Sequence, residues 1–271
     1  MMNYRHFYHA GSFADVVKHI ALIALLEKLA QKETPFCFLD THAGIGLYDL
    51  HAEAAQKKCE YKNGVVKLLL AEKNGMPTVV QNYLAIVKKY NALDFRYYPG
   101  SPIFARELLR DHDQMILCEL HREDVVTLKN NMGKDKQVAI HHLDGYLGLK
   151  AFLPPKLKRG MVLIDPPFEK KDEFESIVAS VSKILSHWKN APIMIWYPIK
   201  NRKYVQQFYG VVTLLAKSRV IVECTLRSAE SENQLSSCGL LLVNPPWKLK
   251  ETLQNAFGYL QNPLECDFKL K

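Results

Sequence analysis

Seven apolar runs, rich in β-branched and aromatic residues, recur along this chain with segments of helical periodicity between them. Several runs are continuously apolar rather than alternating, which is typical of strands that are covered on both faces. Strands that alternate with helices predict an α/β fold with a largely parallel sheet. Only a short polar segment separates the last two runs, so we expect those two strands to pair antiparallel. The runs are PFCFLDTH (35–42), QMILCEL (114–120), QVAIHHLDG (137–145), GMVLIDPP (160–167), APIMIWYPI (191–199), SRVIVECTL (218–226) and CGLLLVNPP (238–246).

The first two runs are unusually far apart. The first strand should end near Asp40 and the next should begin near Met115, and the patterns of 64–74 and 77–92 predict helices between them. A length of 271 residues suits one large domain with an insertion. We therefore expect a single domain over 1–271 that carries a small helical insertion at about 50–97. Near the N-terminus, the spacing of apolar residues over 20–29 predicts an amphipathic helix.

Composition narrows the class of protein. No run of about 18 apolar residues is present, which argues against a membrane span. The six cysteines form no CxxC pair and are typical of the reducing cytoplasm. No HExxH or Cys/His spacing indicates a metal site. The net charge of +8 fits either simple solubility or a polyanionic partner, and charge alone does not separate the two.

Polar residues follow each of the first three strands. Asp40-Thr41-His42-Ala43-Gly44-Ile45-Gly46 follows the first, and its Gly-x-Gly lets backbone approach a ligand closely. A nicotinamide dinucleotide fingerprint needs another glycine where Asp49 stands, whereas Asp-x-x-x-Gly-x-Gly fits the first motif of class I S-adenosylmethionine methyltransferases. Glu119 ends the second strand, where an acid can accept ribose hydroxyls. Asp144-Gly145 after the third could meet the adenine of a cofactor. Each has an ordinary alternative as a turn or a solvated strand end.

The fourth strand ends in Asp165-Pro166-Pro167-Phe168, the most specific motif of the chain. The exocyclic amine of adenine is a poor nucleophile, so a catalyst must accept its hydrogens and aim its lone pair. Asp165 and the carbonyl of Pro166 supply two acceptors, and the prolines restrict the backbone that holds them. Phe168 offers a face on which a base can stack, worth about 1–3 kcal/mol. We expect Asp165 to orient the amine and to take up its proton during or after transfer.

Strand order favours this motif over a second one with similar letters. In a doubly wound sheet the ends of the first four strands converge on one crevice. Asn244-Pro245-Pro246-Trp247 ends the last run, which we expect to be antiparallel, so it should face away from that crevice. We interpret it as a strand stop with a packed tryptophan.

With these motifs in place, the chain resembles, almost end to end, the RlmJ family of bacterial 23S rRNA adenine-N6 methyltransferases. The matching stretches are YRHFYHAGSFADVVKHIAL (4–22), LDTHAGIGLYDL (39–50), YPGSP (98–102), ILCELH (116–121), LDGYLGL (143–149), LIDPPFE (163–169), WYPIK (196–200) and GLLLVNPPW (239–247).

The resemblance implies a Rossmann-like class I methyltransferase fold with a helical insertion, S-adenosylmethionine as cofactor and 23S rRNA as partner. We expect a monomer and no metal. We assign no role to Lys200 in the WYPIK stretch. The implied catalytic residues are Asp165, Pro166 and Phe168; the implied substrate-binding residues are Tyr4 and Phe168; and the implied cofactor-binding residues are Lys18, His19, His42, Gly44, Ser101, Glu119, Asp144, Gly145 and Asp165.

Three other functions stay open at this point. A DNA adenine methyltransferase shares the Asp-Pro-Pro-aromatic motif, although no additional DNA-recognition domain is obvious in the chain. A catalytically silent RNA-binding protein could keep the fold, but the intact Asp165 motif argues against it. A nicotinamide-dependent oxidoreductase is disfavoured by the incomplete glycine fingerprint.

Overall fold

The computed structural model of the protein describes residues 5–228 and 235–271. Within these ranges, ten strands form one large sheet and one small sheet. The strands are β1 (Cys37–Asp40), β2 (Leu47–Asp49), β3 (Tyr97–Pro99), β4 (Gln114–Glu119), β5 (Val138–His142), β6 (Gly160–Ile164), β7 (Ile193–Pro198), β8 (Arg219–Leu226), β9 (Ser237–Val243) and β10 (Cys266–Leu270).

Ten α-helices connect or flank these strands in the described part of the chain, with short 3₁₀ turns at His6–Tyr8 and Glu60–Asn63. The helices are α1 (Phe13–Ala30), α2 (Glu53–Lys58), α3 (Val65–Leu70), α4 (Thr78–Lys89), α5 (Ser101–Leu108), α6 (Arg122–Met132), α7 (Gly145–Phe152), α8 (Glu173–His187), α9 (Arg202–Leu215) and α10 (Leu249–Leu260).

The large sheet has the order β5-β4-β1-β6-β7-β9-β8-β10. Strands β5, β4, β1, β6 and β7 are parallel, and β9 runs antiparallel to both of its neighbours. The predicted mostly parallel sheet and the antiparallel pairing of the last two runs are therefore confirmed. One correction concerns the end of the chain, because β9 is followed by β10, which pairs antiparallel with β8.

Side chains of the large sheet alternate between two cores. One face packs against α1, α4, α5 and α10, and the other packs against α7, α8 and α9. The predicted N-terminal helix is present as α1. The prediction that it is amphipathic is wrong, because every residue from Phe13 to Leu26 is buried. The reason is its central position, since α4, α5 and α10 cover the sides of α1 that the sheet does not.

The long interval between the first two strands of the parallel sheet contains α2, α3 and α4. Its ends are joined by the small sheet, in which β2 pairs antiparallel with β3 and Tyr48 lies opposite Tyr98. These helices coincide with the predicted insertion at about 50–97, whose standing as a subdomain stays a prediction. No helix in the described ranges combines the length and apolar character that a membrane span requires.

Candidate functional site

A cavity of about 1240 Å³ opens at the carboxyl ends of β1, β4, β6 and β7. Every predicted site residue within the described ranges lines it, while Tyr4 lies outside the described residues. The predicted residues that the cavity brings together are Lys18, His19, His42, Gly44, Ser101, Glu119, Asp144, Gly145, Asp165, Pro166 and Phe168.

The loop after β1 is anchored by Asp40, which is completely buried. Its carboxyl group accepts hydrogen bonds from the Ser101 hydroxyl at 2.7 Å and from the His42 backbone N–H at 3.1 Å. Burial raises the pKa of Asp40 to about 7, against the opposing effect of these two donors. The first acid of the glycine motif therefore holds the loop and places Ser101 and His42 at the cavity.

Gly44 and Glu119 fix the next part of the wall. Gly44 has φ +62°, and a Cβ there would lie 2.2 Å from the Tyr48 hydroxyl, so the position favours glycine. The Gly44 N–H donates to Oε2 of Glu119 at 2.8 Å, and the His121 N–H donates to Oε1 at 2.7 Å. A carboxylate accepts about four hydrogen bonds, so Glu119 keeps capacity for a ligand diol. Burial raises the pKa of Glu119.

Asp144 caps the N-terminus of α7. Its Oδ1 accepts from the backbone N–H groups of Tyr146 at 2.9 Å and Leu147 at 3.2 Å, which leaves Oδ2 for a ligand donor. Gly145 allows the helix to begin against β1, because a Cβ at this position would lie 2.0 Å from the Thr41 carbonyl oxygen.

A buried chain of charges leads from α1 to the fourth motif. Lys18 donates to Oδ1 of Asp15 at 2.8 Å and to Oδ2 of Asp165 at 2.6 Å, and His6 contacts the other oxygen of Asp15 at 2.9 Å. Burial alone would lower the pKa of Lys18, but the two carboxylates raise it well above its usual range. Burial alone would raise the pKa of Asp15, but His6 and Lys18 lower it well below its usual range. Lys18 is thus a fixed cation that holds Asp165 through one oxygen.

Four histidines line the cavity, and two of them, His19 and His42, have pKa values that favour the neutral form. Burial lowers the pKa of His42 to about 4, and burial with the Lys18 charge lowers the pKa of His19 well below its usual range. A hydrogen bond of 2.7 Å joins Nδ1 of His19 to the Tyr98 hydroxyl. Nε2 of His19 is buried and has no hydrogen-bond partner in the described part of the protein.

The Asp165-Pro166-Pro167-Phe168 segment leaves β6 at the floor of the cavity. Phe168 adopts φ +51°, an uncommon conformation for an aromatic residue. Its ring makes edge-to-face contacts with Phe174 at 5.2 Å and with Trp196 at 6.1 Å between centroids. The motif therefore combines a carboxylate and an aromatic ring beside one another at the cavity wall.

The second proline motif is placed as predicted but packed differently. Val243, at the end of β9, lies opposite Ile193, at the start of β7, so the motif after β9 faces away from the cavity. The expectation of a packed tryptophan is wrong, because Trp247 is 80% exposed, with Lys248 lying over its ring. Asn244 instead ends the strand, at φ +50°, with its amide donating to the carbonyls of Lys189 and Ala191 at 3.1 Å.

Sequence reasoning missed three kinds of residue at this site. Asp15 completes the charge chain, and its spacing of three from Lys18 on a helix was the available signal. Trp196 lines the cavity beside Phe168, although its position in a continuous apolar run concealed this. Lys58, Lys170 and Lys200 lie at the same cavity but come from distant segments.

The chemistry of the cavity fits S-adenosylmethionine. Glu119 can accept the ribose hydroxyls, Asp144 can accept from the adenine amine, and His19 offers an unpartnered buried nitrogen. Gly44 and Gly145 line the same cavity, and each lets the backbone pack closely against a neighbouring segment of its wall. Across residues 5–228 and 235–271, no group of three or more His, Cys, Asp or Glu side chains could hold a metal ion. The absence of a metal in the working protein stays a prediction.

Known proteins resemble the chain over nearly its whole length. A curated relative from Haemophilus influenzae, named ribosomal RNA large subunit methyltransferase J, is 37% identical and covers 97% of this chain and 94% of its own. The Escherichia coli protein of the same name is 34% identical with the same coverage. A crystal structure of a Legionella pneumophila protein matches with a TM-score of 0.89 at 33% identity, covering 97% of this chain and 98% of its own. The family model described as ribosomal RNA large subunit methyltransferase D, RlmJ, matches residues 33–267, and the chain belongs to this family.

Proposed function

We propose that this protein transfers a methyl group from S-adenosylmethionine to the N6 amino group of an adenine in 23S rRNA. Methyl transfer to large-subunit ribosomal RNA, with S-adenosylmethionine as donor, follows from the family. The observation that supports adenine N6 as the target is Asp165, held by Lys18 at the end of β6 and followed by Pro166 and Phe168.

The contacts of these residues support the roles that we propose for them. Lys18 occupies Oδ2 of Asp165, so Oδ1 is the oxygen that can accept a hydrogen of the amine. The Pro166 carbonyl is the second acceptor, and two acceptors together aim the nitrogen lone pair. Phe168 presents a face for the base, which must leave its stack or already be unpaired. When bound, S-adenosylmethionine supplies an electrophilic methyl carbon, and alignment of the amine with it provides much of the acceleration.

Asp165 also receives the proton that the amine loses, during or after transfer. Because Lys18 is a fixed cation on the same carboxylate, we assign Asp165 chiefly to orientation of the amine. The proposal further includes a monomeric protein that works without a metal in the cytoplasm, where free cysteines such as the six of this chain stay reduced.

The decisive experiment compares substrates and one variant. Labelled S-adenosylmethionine is incubated with protein and bare 23S rRNA, assembled large subunits or duplex DNA, and the product nucleosides are identified and mapped. We expect label in N6-methyladenosine of rRNA, lost by about a hundredfold to a thousandfold in Asp165→Ala, which removes the acceptor. Asp172→Ala, an identical change at an exposed position just outside the cavity, should leave the rate unchanged. Label found only in DNA, or full turnover by Asp165→Ala, would refute the assignment.

A further inference from the structure

Trp196 lies at the cavity with a hydrogen-bond donor that the protein does not use. It stands two residues before the end of β7, and its indole packs against the same core as α1. The ring lines the cavity and meets Phe168 edge to face, at an interplanar angle of 73°. Trp196 is therefore next to the ring that we assign to stacking of the target base.

The indole nitrogen of Trp196 is buried and has no hydrogen-bond partner among the described residues. The other two tryptophans of the chain contrast with it. Trp188 donates to the Lys158 carbonyl oxygen at 2.7 Å, and Trp247 is 80% exposed. A buried N–H without a partner is unfavourable, and in native proteins such a group usually finds an acceptor. At the wall of a binding cavity, the ligand is the natural source of that acceptor.

The surrounding groups indicate which acceptor it is. Asp165 and the Pro166 carbonyl are acceptors and so match the two hydrogens of the adenine amine. Two ring acceptors of adenine flank this amine: N1 is bonded to the carbon that bears it, and N7 lies one ring atom further away on the other side. Ile164 on β6 lies opposite Ile195 on β7, so Asp165 and Trp196 follow at neighbouring positions of the two strands. A donor at Trp196 together with these acceptors would complement the edge of adenine that enters the reaction.

We propose that Nε1 of Trp196 donates a hydrogen bond to a ring nitrogen, N1 or N7, of the adenine that is methylated. The inference rests on the proposed function and adds a residue that recognises the base. Nε1 is buried and Phe168 meets the indole edge to face, so this bond requires the Phe168 ring to move when the base enters. A bond at N1 also separates adenine from guanine, which carries a hydrogen at that position.

The test uses rRNA in which the mapped target adenosine is replaced by 1-deazaadenosine or 7-deazaadenosine, each lacking one ring acceptor. With the wild-type protein, we expect kcat/KM to fall about tenfold on one of the two analogues, as for loss of a buried hydrogen bond. Trp196→Phe should lose about tenfold on natural rRNA and should then use that analogue as well as natural rRNA. Comparing the two proteins removes any effect of the analogue on the intrinsic reactivity of the amine.

Trp188→Phe is the matched control, since its N–H is already bonded to backbone, and it should keep the wild-type preference. The inference is overturned if wild-type protein uses both analogues within twofold of natural rRNA, or if Trp196→Phe keeps the tenfold preference. If Trp196→Phe does not fold, a wild-type protein that uses both analogues within twofold of natural rRNA still overturns the inference, and Trp196→Tyr replaces Trp196→Phe in the comparison. Failure of the proposed function itself is distinguishable, because natural rRNA would then acquire no N6-methyladenosine.

Discussion

At the scale of single residues, the buried cation Lys18 holds two carboxylates that would otherwise repel each other. The side chains of Lys18 and Asp15 are only 5% and 3% exposed, and that of Asp165 is 15% exposed. Removal of one partner from a buried ion pair is costly because the remaining charge is left uncompensated. Stability and site geometry therefore depend on the same side chain.

Lys18→Met tests this dependence. We expect the free energy of unfolding, measured by urea denaturation, to fall by about 3–5 kcal/mol, since Asp15 and Asp165 lose their shared cation. Lys57→Met is the control: Lys57 also pairs with a carboxylate, Glu53, but on the surface. Its stability should match that of the wild type. An equal loss of unfolding free energy in both variants would show that the buried ion pairs of Lys18 stabilise the protein no more than a surface pair does.

Asp40 predicts a pH dependence of stability. Its pKa is raised by burial from 3.8 to about 7, with smaller effects of Asp165, which raises it, and of Lys18, Ser101 and the His42 N–H, which lower it. Between these two values the folded protein holds a proton that the unfolded chain has lost. The contribution of Asp40 to the free energy of unfolding therefore decreases as pH rises through this range.

Urea denaturation of wild type and Asp40→Asn between pH 4 and 8 measures that contribution. The stability difference, wild type minus variant, should decline with pH up to about 7 and then level off. Taking the difference is necessary because His42 acts oppositely: its pKa is lowered to about 4, so its contribution rises with pH. A flat or rising difference would contradict a protonated Asp40.

At the scale of elements, the site depends on how closely α7 begins against the end of β1. A side chain at Gly145 would meet the Thr41 carbonyl oxygen at 2.0 Å, a backbone atom that cannot move without displacing the strand end. Gly145→Ala should lower the free energy of unfolding by about 1–3 kcal/mol and weaken S-adenosylmethionine binding, because Asp144 moves with the helix.

The control for that change is Gly258→Ala in α10, where a Cβ meets nothing within 4 Å. There alanine should stabilise by up to about 1 kcal/mol, because it favours helix more than glycine does. Urea denaturation and a cofactor titration of both variants give the two readouts. Unchanged cofactor affinity in Gly145→Ala would mean that the α7 terminus does not position the ligand.

The elements also show what sequence could and could not predict. The long apolar runs predicted β1 and β4–β9. Burial on both faces explains the continuous pattern of the inner strands, whereas β5 lies at the sheet edge and has no buried residue. The two strands of the small sheet have three residues each, too few for a period, and β10 alternates as an edge strand with one buried residue, Cys266. At the site, motifs at strand ends predicted that Asp165 and Glu119 would meet at one crevice, and both line the cavity. The roles of Asp15 and Trp196 depend on which elements pack together, which no local pattern records.

At the scale of the whole molecule, three lysines from distant segments place part of the net charge of +8 at the cavity. Lys58 comes from α2, Lys170 follows the Asp165 motif, and Lys200 follows β7, yet all three line the same cavity and are exposed. None of them forms an ion pair within the described residues, whereas Lys67 and Lys89 elsewhere are paired with glutamates. We therefore expect these three lysines to contact the phosphates that flank the target nucleotide.

Replacing all three with glutamine should weaken rRNA binding and reduce its salt dependence. Each lost phosphate contact lowers the slope of log K against log salt by about 0.7–0.9. The matched variant changes Lys32, Lys189 and Lys217, three exposed lysines that precede β1, β7 and β8 at the opposite edge of the sheet. Both variants lose the same charge, so a purely long-range attraction would affect them alike. Titrations at several salt concentrations should show a reduced slope in the cavity variant alone, and equal slopes would place the RNA backbone elsewhere.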